Sequence, residues 1–287
     1  MSSSAAGADF KDVDWLVAHA GDPRVRVVDA RSIPHGGTVA MPSGREQYAT
    51  GHLPGAVHLD YADDLRDPAT PYATRVAPSE LFAQVMGAHG IGDDSVVIAY
   101  DAGTIPFAAR LVWMLRYYGH AEAYVLAGGI GAWKAAGQPL STSEPKIVPA
   151  TFHAHEIPAL RASRSEVAEI SAGSLDEQLI ETQRDQTYAQ RDRDIPGAVR
   201  LSGNLLLEDA RGGRIAEPAT LSRLVASAGL DPHKRTVVTC GSGVSASGAW
   251  LALRAAGFED VAVYDGSWLE WEHDALPTVP KPGAGAS

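Results

Sequence analysis

The sequence is poor in cysteine and in long apolar runs, and each shortage excludes a class of protein. Cys240 is the only cysteine, so an internal disulfide framework is excluded. A chain without disulfides is typical of a reducing compartment, and we expect a cytoplasmic protein. No apolar run is long enough to cross a bilayer, and the start of the chain, MSSSAAGADF, has neither the basic nor the apolar region of a secretory signal.

Basic residues are also in short supply. The chain has 24 Lys and Arg against 35 Asp and Glu, which gives a formal net charge of −11. Nucleic acids and anionic membranes require a basic surface, so neither is an expected partner. A small anionic substrate stays compatible with an acidic protein, because a local nest of backbone N–H groups binds anions. The ten histidines are scattered and no HExxH motif occurs, so no metal site is predicted.

Three segments of the first half recur in the same order in the second half. The partners lie 138 to 142 residues apart, which is too long a period for a solenoid and indicates a duplicated domain. The pairs are GHLPGAVHL at 51–59 with RDIPGAVRL at 193–201, LRYYGH at 115–120 with LRAAGF at 253–258, and AYVLAGGIGAW at 123–133 with VAVYDGSWLEW at 261–271.

The boundary between the copies is predicted from composition. Residues 141–160 are rich in Ser, Thr and Pro and lack a helical period, which is typical of an extended linker. We therefore predict a first domain over residues 8–142, a linker over 143–158 and a second domain over 159–280.

Each copy alternates short apolar runs with helical patterns. PFAARLVWMLRYYG and SASGAWLALRAAG have the apolar spacing and terminal glycine of helices. Strands alternating with helices indicate a mainly parallel sheet covered by helices on both faces, and hence two α/β domains in tandem. The predicted strands are Val25–Ala30, Ser95–Tyr100 and Ala123–Ala127 in the first copy, and Gln178–Thr182, Thr236–Cys240 and Val261–Tyr264 in the second.

Cys240 lies where a strand passes through a tight loop into a helix, in TVVTCGSGVSASGAWLAL. Gly241 and Gly243 permit a loop whose N–H groups point inward, and a helix is predicted to begin near Ser245–Ser247. We expect these donors to lower the pKa of the Cys240 thiol and to make it a thiolate nucleophile. The alternative is a buried structural cysteine, but the carboxyl end of a strand is where open α/β sheets bind ligands.

The loop CGSGVSA at Cys240–Ala246 resembles the active-site loop of the 3-mercaptopyruvate sulfurtransferases in the rhodanese family. GHLPGAV, DIPGAV, LAGGIGAW and YDGSWLEW are similar to the remaining signatures of that family, in the right order. The resemblance implies two tandem rhodanese-like domains of which only the second is catalytic. The matching loop of the first copy begins Tyr100-Asp101-Ala102 and offers no thiol, so Asp101 is expected to be structural.

The resemblance also implies a mechanism without metal or cofactor. Cys240 would take a sulfur from a small anionic donor, 3-mercaptopyruvate or thiosulfate, and pass it from a persulfide to cyanide, a thiol or a thioredoxin. Ser242 matches a serine that helps to relay a proton toward an aspartate of the first domain, here Asp67, for which a turn or cap role is the alternative. The loop residues expected to bind the donor are Gly241, Gly243, Val244, Ser245 and Ala246.

The second copy departs from the family before DIPGAV. Glu181-Thr182-Gln183 replaces a DAR-type strand end, which the first copy keeps as Asp29-Ala30-Arg31. Thr187-Tyr188 replaces an arginine and aromatic pair, and Asp194 replaces a histidine. Arg184, Arg191 and Arg193 are the candidates to bind the donor's anionic group in place of the missing arginine; a solvated charged loop is the alternative.

Three other functions compete with sulfur transfer. Phosphatases and arsenate reductases of the C-x5-R type need an arginine where this chain has Ala246. A cysteine hydrolase needs a histidine base, and no histidine is indicated for Cys240. A non-catalytic sulfur carrier or protein-interaction module with degenerate donor specificity stays open, because the altered segment Glu181–Tyr188 supports it.

Overall fold

The computed structural model describes residues 9–33, 41–72, 74–207 and 214–281. The chain divides into two compact units, one formed mainly by Gly7–Ile157 and the other by Pro158–Glu208 with Ile215–Ser287. Within the described ranges, no helix is long and apolar enough to cross a membrane.

The first unit is a parallel sheet with helices between its strands. Its described strands are ordered β1-β5-β4-β2-β3. They are β1 (Phe10–Lys11), β2 (Val25–Asp29), β3 (Val57–His58), β4 (Val96–Tyr100) and β5 (Ala123–Leu126). The helices are α1 (Val13–Ala18), α2 (Gly44–Thr50), α3 (Ser79–Ala88), α4 (Pro106–Tyr117) and α5 (Gly129–Ala135).

The second unit repeats this plan. Its main sheet has the order β6-β11-β10-β7-β9, and β8 and β12 form a separate antiparallel pair. The described strands are β6 (Arg161–Ala162), β7 (Gln178–Glu181), β8 (Arg193–Asp194), β9 (Val199–Arg200), β10 (Thr236–Thr239), β11 (Val261–Tyr264) and β12 (Val279–Pro280). The helices are α6 (Arg164–Ser171), α7 (Asp185–Tyr188), α8 (Pro218–Ser227), α9 (Val244–Ala255) and α10 (Ser267–His273).

The central strands explain why both faces of each sheet must be covered. Every residue of β4 and of β10 is buried, so neither strand has a polar face to turn toward water. In both copies the helix after the central strand is twelve residues long and packs back on the sheet. The predicted duplicated α/β architecture is confirmed, and the six predicted strands are present to within a residue at each end.

The predicted linker residues pack along the first unit. The Ala150 N–H donates to the Gly87 carbonyl at 3.0 Å, and the His155 N–H donates to Tyr118 at 3.1 Å. A side chain on Gly87 would place its Cβ 2.5 Å from the Ala150 oxygen, so glycine permits this close approach. These contacts hold the segment as an extended chain against the first domain.

Candidate active site

Cys240 directly follows the central strand β10. Its N–H donates to Ser267 Oγ at 3.2 Å, and its carbonyl accepts from the Trp268 N–H at 3.0 Å. Ser267 has a left-handed backbone (φ 51°), and its own hydroxyl donates to the Tyr264 carbonyl at 2.8 Å. A non-glycine residue in this conformation is strained, and here the strain sets the Oγ against the Cys240 backbone. Ser267 therefore holds Cys240 in place. The only sign of this role in the sequence is the position of Ser267 within the YDGSWLEW segment.

The loop after Cys240 surrounds its sulfur with N–H donors. Gly243 adopts a left-handed conformation (φ 79°), and its N–H points at Cys240 Sγ from 3.1 Å. The N–H groups of Ser242 and Ala246 also interact with the sulfur. Helix α9 begins at Val244, one residue earlier than predicted. The sulfur thus lies in a backbone nest at the N-terminus of a twelve-residue helix.

The predicted lowering of the Cys240 pKa is wrong. Burial raises the pKa of the Cys240 thiol, and the Glu181 carboxylate raises it further. The N–H groups of Ala246, Ser242 and Gly243 act in the opposite direction but do not outweigh these causes. Sequence showed the donors of the nest, but the desolvation of a side chain that is only 2% exposed depends on tertiary packing. The fold therefore favours the protonated thiol over the thiolate.

The other predicted loop residues line the same turn. Val244 and Ala246 are buried, while Gly241, Ser242 and Ser245 are partly exposed. The Gly241 carbonyl accepts from the Leu269 N–H at 3.0 Å, so the loop is fixed to α10 as well as to α9.

A buried ion cluster lies at the end of the neighbouring strand β7. Arg191 donates through Nη2 to Glu181 Oε2, and to Asp194 Oδ1 at 2.9 Å. Tyr188 OH donates to the other oxygen of Asp194 at 2.6 Å. The Arg191 guanidinium also lies over the ring of Trp268, 4.4 Å from its centroid. The candidate donor-binding residue Arg191 is thus only 9% exposed in its side chain and already binds two carboxylates.

Burial raises the pKa of Glu181 even though Arg191 and the Gln183 N–H act to lower it. The Gln183 N–H donates to Glu181 Oε1 at 2.6 Å. The carboxylate that raises the Cys240 pKa is therefore held at the strand end by one guanidinium and one backbone donor.

Arg184, the second arginine candidate, stands directly before the short helix α7. Its carbonyl accepts from the Tyr188 N–H at 2.8 Å and from Thr187 Oγ1 at 3.0 Å. Thr187, where the family has an arginine, therefore stabilises the first turn of α7. Its side chain carries no charge for a donor.

Each half of the chain matches the model of the Rhodanese-like domain, over residues 12–136 and 163–274. The chain belongs to the rhodanese family. It is 30% identical to the 3-mercaptopyruvate sulfurtransferase of Escherichia coli strain K12, over 94% of this chain and 98% of that protein. It is 33% identical to the thiosulfate sulfurtransferase of Bos taurus, over 89% of this chain and 87% of that protein.

The fold of the solved rhodaneses agrees with these matches. The crystal structure of SseA from Escherichia coli, a 3-mercaptopyruvate sulfotransferase, superposes with a TM-score of 0.82 at 29% identity. The superposition covers 91% of this chain and 99% of that one. Together with its relatives, this places the chain among the sulfurtransferases.

The first rhodanese copy has a carboxylate where the second has its thiol. Asp29 pairs with Tyr100 and Glu181 with Thr239, so Asp101 and Cys240 follow equivalent strand positions. Asp101 Oδ1 accepts from the N–H groups of Gly103, Thr104 and Ile105, at 2.8, 2.9 and 3.2 Å. Its Oδ2 accepts from Phe107 and Ala108 at 3.3 and 3.4 Å. The expected structural role of Asp101 is confirmed, and its loop shows that this rhodanese turn binds an anion.

Asp67, the predicted relay partner, belongs to the first rhodanese unit. Its Oδ1 accepts from the Ala69 N–H at 2.8 Å, and its own N–H donates to the Arg75 carbonyl at 2.8 Å. These bonds make it a turn residue, and its relay role stays a prediction. Among the described residues, no cluster of three or more His, Cys, Asp or Glu side chains is arranged to hold a metal ion.

Proposed function

We propose that this rhodanese-family sulfurtransferase moves a sulfane sulfur from 3-mercaptopyruvate or thiosulfate, through a persulfide on Cys240, to a nucleophilic acceptor. The observation that carries the proposal is the nest of N–H donors around Cys240 Sγ, with the Gly243 N–H at 3.1 Å. The equivalent nest of the first copy holds the carboxylate of Asp101, which supports anion binding at this turn. A persulfide anion on Cys240 has the charge that these donors favour.

Sulfur transfer to Cys240 conserves atoms and electrons with either donor. With thiosulfate, the Cys240 thiolate attacks the outer sulfur, the S–S bond breaks, and sulfite leaves with its electron pair. With 3-mercaptopyruvate, the Cys240 thiolate attacks the donor sulfur, the C–S bond breaks, and the enolate of pyruvate leaves with the electron pair of that bond and takes up the proton that the donor sulfur releases. In both cases a cysteine persulfide remains, and an acceptor such as cyanide, a thiol or a reduced thioredoxin removes the outer sulfur.

Two features of the site bear on particular roles in this reaction. The Cys240 pKa is raised, so the proposed mechanism includes the loss of the thiol proton. The assignment of Ser242 and Asp67 to the relay of that proton rests on the resemblance alone. Arg184 and Arg191 stay the candidates for the anionic group of the donor, and Arg191 also binds two buried carboxylates. The single cysteine, which excludes internal disulfides, supports a cytoplasmic location.

A sulfur carrier without its own donor specificity is the second candidate. The observation that favours it is the same ion cluster, since the pairing of Arg191 removes one charged group that could have bound a donor. Such a protein would accept sulfur from another persulfide but not from a small donor.

The experiment is steady-state sulfur transfer with thiosulfate and with 3-mercaptopyruvate, each with cyanide and with a thiol acceptor. Cys240→Ser should abolish thiocyanate formation and the mass increase of one sulfur atom, while circular dichroism stays unchanged. A matched control is Ser222→Ala on the exposed face of α8, whose hydroxyl donates only to the carbonyl one turn before it among the described residues. Turnover that survives in Cys240→Ser would contradict the mechanism. A wild-type protein loaded only by another persulfide would favour the carrier.

A further inference from the structure

The two copies differ in how they neutralise the carboxylate at the end of the strand before the central one. In the first copy, Asp29 is paired with Arg31, which lies two residues later in the sequence. Arg31 Nε donates to both carboxylate oxygens of Asp29 at 3.0 Å. Tyr100 OH completes the site by donating to Asp29 Oδ2 at 2.7 Å. The strand end is thus a self-contained ion pair between residues i and i+2.

In the second copy, the cation of this pair comes from elsewhere in the chain. Glu181 occupies the position of Asp29, and Gln183 occupies that of Arg31. The charge is supplied by Arg191, which lies beyond α7 and bridges Glu181 and Asp194. The side chain at position 183 is therefore released from pairing with the strand-end carboxylate, while the backbone N–H of Gln183 still donates to Glu181 Oε1.

Gln183 instead contacts the loop of the nucleophile. A Cβ added to Gly241 would lie 3.1 Å from Gln183 Nε2 and 3.3 Å from its Cδ, so the amide packs directly against the residue after Cys240. Gln183 Oε1 is buried and has no hydrogen-bond partner in the part of the chain that the structure describes. An acceptor oxygen buried without a donor costs free energy that a bound ligand with a donor hydrogen recovers.

We propose that Gln183 is a specificity-determining residue that selects sulfur donors bearing a hydrogen beside the reacting sulfur. This inference rests on the proposed function of Cys240. Gln183 Oε1 accepts the S–H hydrogen of a small thiol donor, with 3-mercaptopyruvate as the probe. Thiosulfate carries only oxygen and sulfur acceptors at neutral pH, so it has no hydrogen to donate to Gln183 Oε1. The lone pairs of Oε1 and of thiosulfate then repel each other. The chain therefore favours the thiol donor over thiosulfate.

The first test compares the two donors in Gln183→Met, which keeps the length of the side chain and removes the amide. We expect kcat/KM with 3-mercaptopyruvate to fall about tenfold, the change that one hydrogen bond makes, and kcat/KM with thiosulfate to stay the same or rise. The matched control is Gln178→Met, at the opposite end of β7, whose amide donates to Asp231 O and Thr236 Oγ1. It should affect both donors in equal proportion. An equal loss on both donors in Gln183→Met, or a larger loss with thiosulfate, would overturn the proposal.

A second test needs no sulfur transfer. Iodoacetamide carries N–H donors and iodoacetate carries only acceptors, and both alkylate the single thiol, Cys240. The measured quantity is the rate with iodoacetamide divided by the rate with iodoacetate, corrected for intrinsic reactivity by the same ratio for glutathione. We expect this corrected ratio to be above one in the wild type and to fall about tenfold in Gln183→Met. An unchanged ratio, a preference for iodoacetate, or a folded protein that neither reagent modifies would overturn the proposal. Absence of thiocyanate from both donors would instead count against the proposed function.

Discussion

Replacing Arg191 with methionine is expected to destabilise the second domain by about 3–5 kcal/mol, the cost of removing one partner from a buried ion pair. The change leaves two carboxylates without their cation. Glu181 is fully buried, and the side chain of Asp194 is 8% exposed, so water cannot replace the guanidinium. Methionine retains most of the apolar contact with Trp268, so the loss reports on charge more than on packing.

The backbone amides of β10 supply the assay, because every residue of this central strand is buried. Their hydrogen exchange follows the opening of the second domain. When closing is faster than exchange, the rate follows the equilibrium of opening. The expected loss then corresponds to exchange that is roughly a hundredfold to a few thousandfold faster in water, at tenfold for each 1.4 kcal/mol.

The control is Arg164→Met in the same domain. Arg164 also pairs with a carboxylate, Asp274, but its side chain is 54% exposed, and such a pair contributes little. Hydrogen exchange of the β10 amides in this variant should stay within a few-fold of the wild type. If Arg191→Met behaves in the same way as Arg164→Met, the buried cluster does not stabilise the domain and the reasoning is refuted.

The effect of Arg191→Met also depends on pH in a defined direction. Burial raises the pKa of Glu181, so the folded protein holds this proton more tightly than the unfolded chain does. The contribution of Glu181 to stability therefore falls as pH rises from the usual carboxyl range through the folded pKa. Without Arg191, which acts to lower the pKa of Glu181, this dependence extends to higher pH, and the difference from wild type should shrink on acidification.

Two further predictions concern the charges at these strand ends. Glu181→Gln removes a charge that raises the Cys240 pKa, so the rate of alkylation by iodoacetamide should reach half its maximum at a lower pH. The control, Glu177→Gln, lies before the opposite end of β7 and should leave this pH profile unchanged. An unshifted pH profile in Glu181→Gln would contradict the assigned cause. Asp101→Asn should destabilise the first domain by about 1.5–3 kcal/mol, the contribution of hydrogen bonds to a charged group, read as faster hydrogen exchange of the β4 amides. Exposed Asp93→Asn is its control, and unchanged exchange in Asp101→Asn would show that the loop does not need the charge.

Sequence predicted the parts of this protein that depend on local pattern. Runs such as VVIAY at Val96–Tyr100 are long enough, and apolar enough, to be buried strands wherever they lie. The strand, loop and helix around Cys240 were also predictable, because glycine at positions 241 and 243 and the helical pattern after them act within a few residues. The duplication extended each of these predictions to a second copy.

Sequence could not predict what depends on contacts between distant segments. Nothing around Arg191 indicates that it pairs with Glu181, because the two are joined through the turn of α7 and meet only when β7 and β8 are in place. For the same reason the sign of the Cys240 pKa shift was wrong. The local donors were visible in the sequence, but the desolvation and the carboxylate that oppose them come from the fold.

In the first domain, the N–H groups of the anion-binding turn donate to the carboxylate of Asp101, which belongs to the chain itself. The second domain has a thiol in the equivalent place, and its raised pKa favours the uncharged form. On the proposed mechanism, the persulfide anion then does for the catalytic domain what Asp101 does for its neighbour. On that mechanism, part of the free energy of loading would appear as a higher stability of the second domain, and the acceptor would have to overcome it to remove the sulfur.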